Sequence, residues 1–226
     1  MKRHFEEVEE ELKKRLLSMG SLVEEMIGSA VQGLVKRDAG MFDAVKSGED
    51  KVNRLHIEVD DSCLKLIALH QPAAADLRFI VAALKINSDL ERIGDQAVNI
   101  SQNAAVLSGL PPLEKRLLDI PRMAELAQGM VKDSLDAFVR KDVDLARSVI
   151  SRDDAEDRLK SEAFHELLHL MQTDSSSVER ALCLILIARN LERIADHATN
   201  IGEDVIFMAL GKDIRHRAEQ EGSSDA

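Results

Sequence analysis

The sequence predicts an all-α fold of two similar three-helix bundles in tandem, related by internal duplication, on three observations. Residues 90–100 read LERIGDQAVNI and residues 191–201 read LERIADHATNI, so one helix-like string recurs 101 residues later. A repeat of this kind fixes the architecture before any other reading. Apolar residues elsewhere recur in steps of three and four, the period of an amphipathic helix. Composition agrees: 31% of the chain is charged, with 11 Gly, 4 Pro and neither Trp nor Tyr, whereas β-rich domains favour aromatic and β-branched residues.

The elements follow in order. Phe5, Val8, Leu12, Leu16, Met19, Val23, Met26, Ala30 and Leu34 predict a long first helix over residues 5–37. Arg37-Asp38-Ala39-Gly40 is the expected break. Val45, Val52, Leu55, Val59, Cys63 and Leu66 mark a second helix, which ends near His70-Gln71-Pro72 because the residue before proline resists the helical region. Asp76 is the expected N-cap of a third helix carrying the first motif, with Leu90, Ile93, Ala97, Ile100, Ala104 and Leu107 as its core stripe.

Ser108-Gly109-Leu110-Pro111-Pro112 is the strongest punctuation in the chain. It places the first bundle at residues 1–110 and the second at 111–212. A tail follows at 213–226, expected to be disordered at its EQEGSSDA end. Leu113, Leu117, Ile120, Ala127, Val131 and Phe138 mark a fourth helix, with Pro121 a kink or a restart. Leu145, Val149, Leu159, Ala163 and Leu170 mark a fifth, and Thr173–Ser177 reads as a capping loop. Leu191, Ile194, Ala198, Ile201, Val205 and Met208 mark the sixth. LVKRD (34–38) pairs with FVRKD (138–142), and EDKVNRL (49–55) with DDAEDRL (153–159), at an offset of 104. The second half is therefore three residues shorter at its second loop.

The repeated polar residues are the candidate functional ones. With Leu90 at zero and about 100° per residue, Glu91, Asp95 and Asn99 fall at roughly 100°, 140° and 180°, away from the apolar stripe. Glu192, Asp196 and Asn200 repeat them. On the second helix Asp50 and Asn53 also lie opposite the stripe. Their partners are Asp154 and Asp157, with Glu49 and Asp153 beside them. Second and third helices joined by a short loop are antiparallel neighbours, so these faces could meet.

Taken singly, each acid reads as part of a solvated helix face. Yet carboxylates four apart repel by about 0.2–0.5 kcal/mol, and this pair recurs in both halves. A hard cation relieves the repulsion, and oxygen donors accept Mg, Mn, Ca, Fe or Zn in varying degree. Spacing alone leaves solvated face and metal site both open.

Other sites are weaker. Glu162/His165 and Glu166/His169 have the i, i+3 spacing of di-iron ligands, but lie off the fifth helix's stripe and have no first-half counterparts. They read as surface histidines. Cys63 and Cys183 fall on apolar stripes and read as buried, inert thiols. No glycine-rich phosphate loop, nucleophile elbow or catalytic set is present.

A net charge of −11 disfavours nucleic acid and anionic membranes, and points to cations or basic protein surfaces. No apolar run is long enough to span a bilayer, the first residues carry no signal-peptide core, and two isolated cysteines make no disulfide framework. A cytoplasmic location is expected.

Together these features resemble the PhoU family of phosphate-uptake regulators, over about residues 5–216. The carrying residues are Asp76-Leu77-Arg78 after Gln71-Pro72, the doubled LERIxD motif, and Gly211-Lys212-Asp213-Ile214-Arg215-His216. The resemblance implies two three-helix bundles in a spectrin-repeat-like six-helix arrangement, often as a homodimer. It implies a negative regulator of the phosphate regulon that links a phosphate ABC transporter ATPase to a membrane sensor histidine kinase. It also implies metal ions, as a multinuclear cluster of iron or zinc with Mg or Mn possible, held by Glu91/Asp95 and Glu192/Asp196. Asp50, Asn53, Asp154 and Asp157 match the family's second-helix positions. With Asn53 standing where the second half has Asp157, the halves are expected to differ in affinity. A carboxylate-bridged metalloenzyme and a metal-free structural scaffold are the rival classes.

Overall fold

The computed structural model describes residues 2–112 and 119–215, with side chains from Glu7 onward. The expected core positions Leu113 and Leu117, the side chain of Phe5, and residues 216–226 of the tail lie outside what is described. Seven α-helices occur among the described residues, and no strand. They are α1 (Lys2–Lys36), α2 (Ala39–His70), α3 (Ala74–Gly109), α4 (Ile120–Arg140), α5 (Val143–Ser151), α6 (Asp153–Thr173) and α7 (Val178–Leu210).

Helix ends follow local chemistry. α1 stops where Arg37 takes φ 55°, and the Asp38 carboxylate accepts from the Gly40 amide to start α2. α2 closes on Gln71 in the left-handed region, directly before Pro72. α3 starts one turn earlier than the Asp76 cap predicts: Ala73 is the N-cap, without a side-chain bond, and Asp76 sits in the first turn. There its charge still complements the helix dipole. Pro121 lies in the first turn of α4, so it is a start and not a kink. Asp174 caps a short 3-10 turn at Ser175–Ser177, and Gly211 ends α7 at φ 67°.

The predicted fifth helix is divided. α5 ends at Ser151 and α6 begins at Asp153, with Arg152 bonded to the Val149 carbonyl three residues back. The repeat suggests why. Position 48, 104 residues earlier, is glycine in unbroken α2, and a Cβ there would lie 2.6 Å from Met26 Cγ on α1. Arginine cannot enter so close a contact. Instead Arg152 reaches Asp133 on α4 at 2.6 Å, and the helix bends at that residue. The three missing residues of the second half amount to one turn: α3 has 36 residues and α7 has 33.

The two bundles share one core. α3 and α7 form the most extensive helix pair and run antiparallel, with Leu90, Ile93, Ala97, Leu191, Ile194 and Ala198 all fully buried. Each helix start holds the other's end: Arg78 donates to the Met208 carbonyl, and Arg180 to those of Pro111 and Pro112. α1 packs on α4, where Gln128 donates to the Glu24 carbonyl at 2.8 Å. Phe79 of α3 stacks on Phe138 of α4 with centroids 5.5 Å apart.

Candidate metal-binding faces

Glu91, Asp95 and Glu192 sit on the flank of α3 and α7 at the edge of the core, while the other motif positions face away from it as the helical wheel places them. Glu91, Asp95 and Glu192 are half-buried, whereas Asp196, Asn99 and Asn200 are exposed. The reason is the neighbouring helix, since α2 covers one side of α3 and α6 one side of α7. Asp50, Asn53, Asp154 and Asp157 are exposed on those covering helices.

In the second half the two faces meet. Lys160 on α6 donates to Asp157 at 2.8 Å and to Glu192 of α7 at 2.9 Å. Both bonds favour its charged form and raise its pKa. Asp153 of α6 lies 3.4 Å from the Thr199 hydroxyl of α7. In the first half, no hydrogen bond or ion pair among the described residues joins Asp50 or Asn53 to Glu91 or Asp95. The residue matching Lys160 is His56, which turns to the Asn87 carbonyl and to Asp60.

One acid was not among the sequence candidates. Glu156 is fully buried, and neither carboxylate oxygen has a hydrogen-bond partner. Burial, then the charges of Glu192, Asp153 and Asp157, push its pKa up to about 8. The signal was present in the repeat, because Glu156 occupies the core position that Val52 fills in α2. Asp196, though exposed, has protein packed around its carboxyl; this burial, then Glu192, Asp153 and Asp157, raises its pKa to about 6. Asp153 is raised by burial and then by Asp157.

Asn99 and Asn200 do not join the carboxylates of their own motifs. Asn200 faces Asp89 on α3 at 3.5 Å, beside His197, whose Nδ1 lies 2.9 Å from the same carboxylate. Among the described residues no group of three or more His, Cys, Asp or Glu lies together so that it could hold a metal ion. In the second half it is Lys160 that holds two of the acids. The donor chemistry nevertheless suits a hard cation, because every donor is an oxygen and the Glu156 carboxyl is unpartnered.

The remaining candidates resolve simply. Glu162, His165, Glu166 and His169 are exposed. Cys63 and Cys183 are buried free thiols, and burial pushes Cys63 up to about 12. An open groove of about 780 Å³ runs beside the second cluster, lined by Phe164, Ile185 and Ala188 with Arg158, Arg189 and Glu192.

Fold and repeat define a duplicated helical-bundle protein with one acidic inter-helix face per half. Comparison with known proteins agrees, because the PhoU domain matches residues 16–104 and again 120–205. The chain belongs to the PhoU family. It is 40% identical over 207 residues to the phosphate-specific transport system accessory protein PhoU homolog of Pseudomonas putida, covering 92% of this chain and 81% of that one. With the homolog of Aquifex aeolicus it shares 39% over 217 residues, 96% and 97% of the two chains. The crystal structure of PhoU from Pseudomonas aeruginosa superposes with a TM-score of 0.89 at 38% identity, over 92% of this chain and 100% of that one. The phosphate transport system regulatory protein PhoU of Streptococcus pneumoniae gives 0.85 at 27% identity, over 93% and 99%. No helix among the described residues is long and apolar enough to cross a membrane.

Proposed function

We propose that this chain is a non-enzymatic regulator of phosphate transport. In this reading it restrains phosphate uptake and phosphate-responsive genes when phosphate is plentiful, by contacting a phosphate ABC transporter ATPase and a sensor histidine kinase. The carrying observation is the match along 92% of the chain to a protein named as an accessory of phosphate-specific transport. Exposed Phe164, Leu168, Val178 and Leu182 on α6 and α7 supply apolar surface for such contacts, or for a second copy in a homodimer.

Metal ions belong to the same reading. Glu91 and Asp95 with Asp50 and Asn53 would hold them in the first half. Glu192 and Asp196 with Asp154 and Asp157 would do so in the second. A bound cation neutralises carboxylates that otherwise repel, and ties the second helix of each half to its third. That leaves a less negative, stiffer face for partners. The chain's own residues set which oxygens are free, and Lys160 competes for two of them.

The test is deletion of the gene. Phosphate-responsive genes should become active in phosphate-replete medium, and tagged protein should retain the transporter ATPase or the kinase on purification. Continued repression in the deletion strain contradicts the regulatory reading. Phosphatase or oxidase turnover by metal-loaded protein that Asp95→Ala and Asp196→Ala abolish supports the enzyme class instead.

A further inference from the structure

The first half plugs the place where the second half opens its groove. Asn87 of α3 is fully buried, and its Nδ2 donates to the His56 carbonyl and to Asp60 Oδ1 on α2, both at 2.9 Å. The repeat puts Ala188 at the Asn87 position and Phe164 at the Asp60 position, so plug and partner are both replaced. Ala188, Phe164 and Ile185 instead line the groove of about 780 Å³ between α6 and α7. Phe164 is 44% exposed. Leu168, one turn further along α6, and Leu182, three residues before Ile185 on α7, are exposed too and prolong the apolar surface. Large apolar side chains left together in water mark an interaction face.

The charges of the groove are also particular. Arg158 on α6 and Arg189 on α7 line it from opposite walls. Among the described residues neither arginine has a hydrogen bond or an ion pair. Asp157 and Glu192, by contrast, are already held by Lys160. The lining thus carries three acids and three bases on a chain whose net charge is −11. An acidic group that the net charge repels elsewhere is admitted here.

Resting on the regulatory reading above, we infer that the α6–α7 groove receives one amphipathic helix of a protein partner. Its apolar side chains sit on Phe164, Ile185 and Ala188, and its acidic side chains pair with Arg158 and Arg189. A helix laid in an apolar groove anchors through residues three, four and seven apart. From Asp154 to Leu168 the wall formed by α6 is about 21 Å long, room for about four turns of partner helix. Arginine and aromatic side chains are the usual anchors of such contacts, and a carboxylate between two arginines makes charge-assisted bonds. The chain's own tail does not suit the groove: residues 216–226 are acidic but hold no apolar side chain larger than alanine. With Asn87 in place in the first half, the helix is read by the second.

The experiment is fluorescence anisotropy of two labelled synthetic peptides with the full-length protein. Each is a helix-forming peptide of about 14 residues with leucines three and four apart, flanked in one by glutamates and in the other by lysines. The glutamate peptide should bind at least tenfold tighter, although the net charge of −11 favours the lysine one. Arg158→Glu with Arg189→Glu should reverse the preference. Phe164→Asp with Ala188→Asn transplants the first-half plug and should weaken the glutamate peptide at least tenfold. Phe164→Ala, at an exposed position, should weaken it at least threefold and covers the case in which the plug variant does not fold. A lysine peptide that binds as tightly, no binding of either peptide up to about 1 mM, or glutamate-peptide binding unaltered by the arginine reversal overturns the inference. A wild-type dimer that Phe164→Ala dissociates gives the groove to a second copy and also overturns it. In cells the arginine reversal should release phosphate-responsive genes in replete medium; release by gene deletion but not by the reversal overturns the inference. Repression that persists in the deletion strain fails the regulatory reading instead, and the peptides then decide the groove.

Discussion

Lys160 Nζ lies 2.9 Å from Glu192 Oε1, joining the second helix of the second half to its third. The matching first-half pair is His56 and Glu91, and His56 turns to Asn87 instead. A half-exposed ion pair contributes little, about 0–1 kcal/mol. Lys160→Met should therefore lower the stability of metal-free protein by no more than about 1 kcal/mol in urea denaturation. A loss of several kcal/mol would make Lys160 a structural clamp and not an exchangeable counter-ion.

Glu156 gives the metal-free protein a distinct pH dependence. Its folded pKa, about 8, lies above the ordinary 4.5, so the folded state holds a proton that the unfolded state releases. That contribution is fully present below pH 4.5 and is lost as pH rises through 8. Glu156→Gln cannot ionise and should gain roughly 2–4 kcal/mol over wild type at pH 8.5, and almost nothing at pH 4.5. Denaturation curves of both proteins at the two pH values check this; an equal difference at both would count against it.

Gly48 lets α2 pass close to α1. A Cβ there would meet Met26 Cγ at 2.6 Å and Sδ at 2.8 Å, so Gly48→Ala forces the methionine out of its place. Overpacking costs about 1–3 kcal/mol, and alanine returns about 1 kcal/mol of helix propensity. A net loss of about 1 kcal/mol is expected in chemical denaturation, and in a Met26→Ala background, where the clash is gone, the same Gly48→Ala change should cause no loss. A stabilised single variant would show that the contact is looser.

Phe138 is fully buried and stacks on Phe79 across the seam between the bundles. Phe138→Ala should cost about 3–5 kcal/mol. Because the core is continuous, both halves should lose stability in one transition. Hydrogen exchange confined to the second half in this variant would show instead that the bundles unfold separately.

Much of this was legible in the sequence because the repeat carries it. The apolar stripe of Leu90, Ile93, Ala97 and Ile100 is buried as its period predicts, and so is its copy from Leu191 to Ile201. Tertiary contacts decided the rest. Arg152 divides a helix that Leu145, Val149 and Leu159 present as continuous, because the kink answers to Asp133 and to a packing distance. The half-buried positions of Glu91 and Glu192 depend on a covering helix that a single helical wheel omits. Glu156 was visible as an acid opposite Val52 in the repeat, but its isolation from any partner shows only in three dimensions.

The most direct test of the central claim, that the repeated carboxylates form cation-binding faces, is elemental analysis of protein purified without chelator. Wild type should carry at least one metal ion per chain. A folded variant with Glu91→Gln, Asp95→Asn, Glu192→Gln and Asp196→Asn together should carry none. Metal-free wild type, or equal loading of the two, contradicts it.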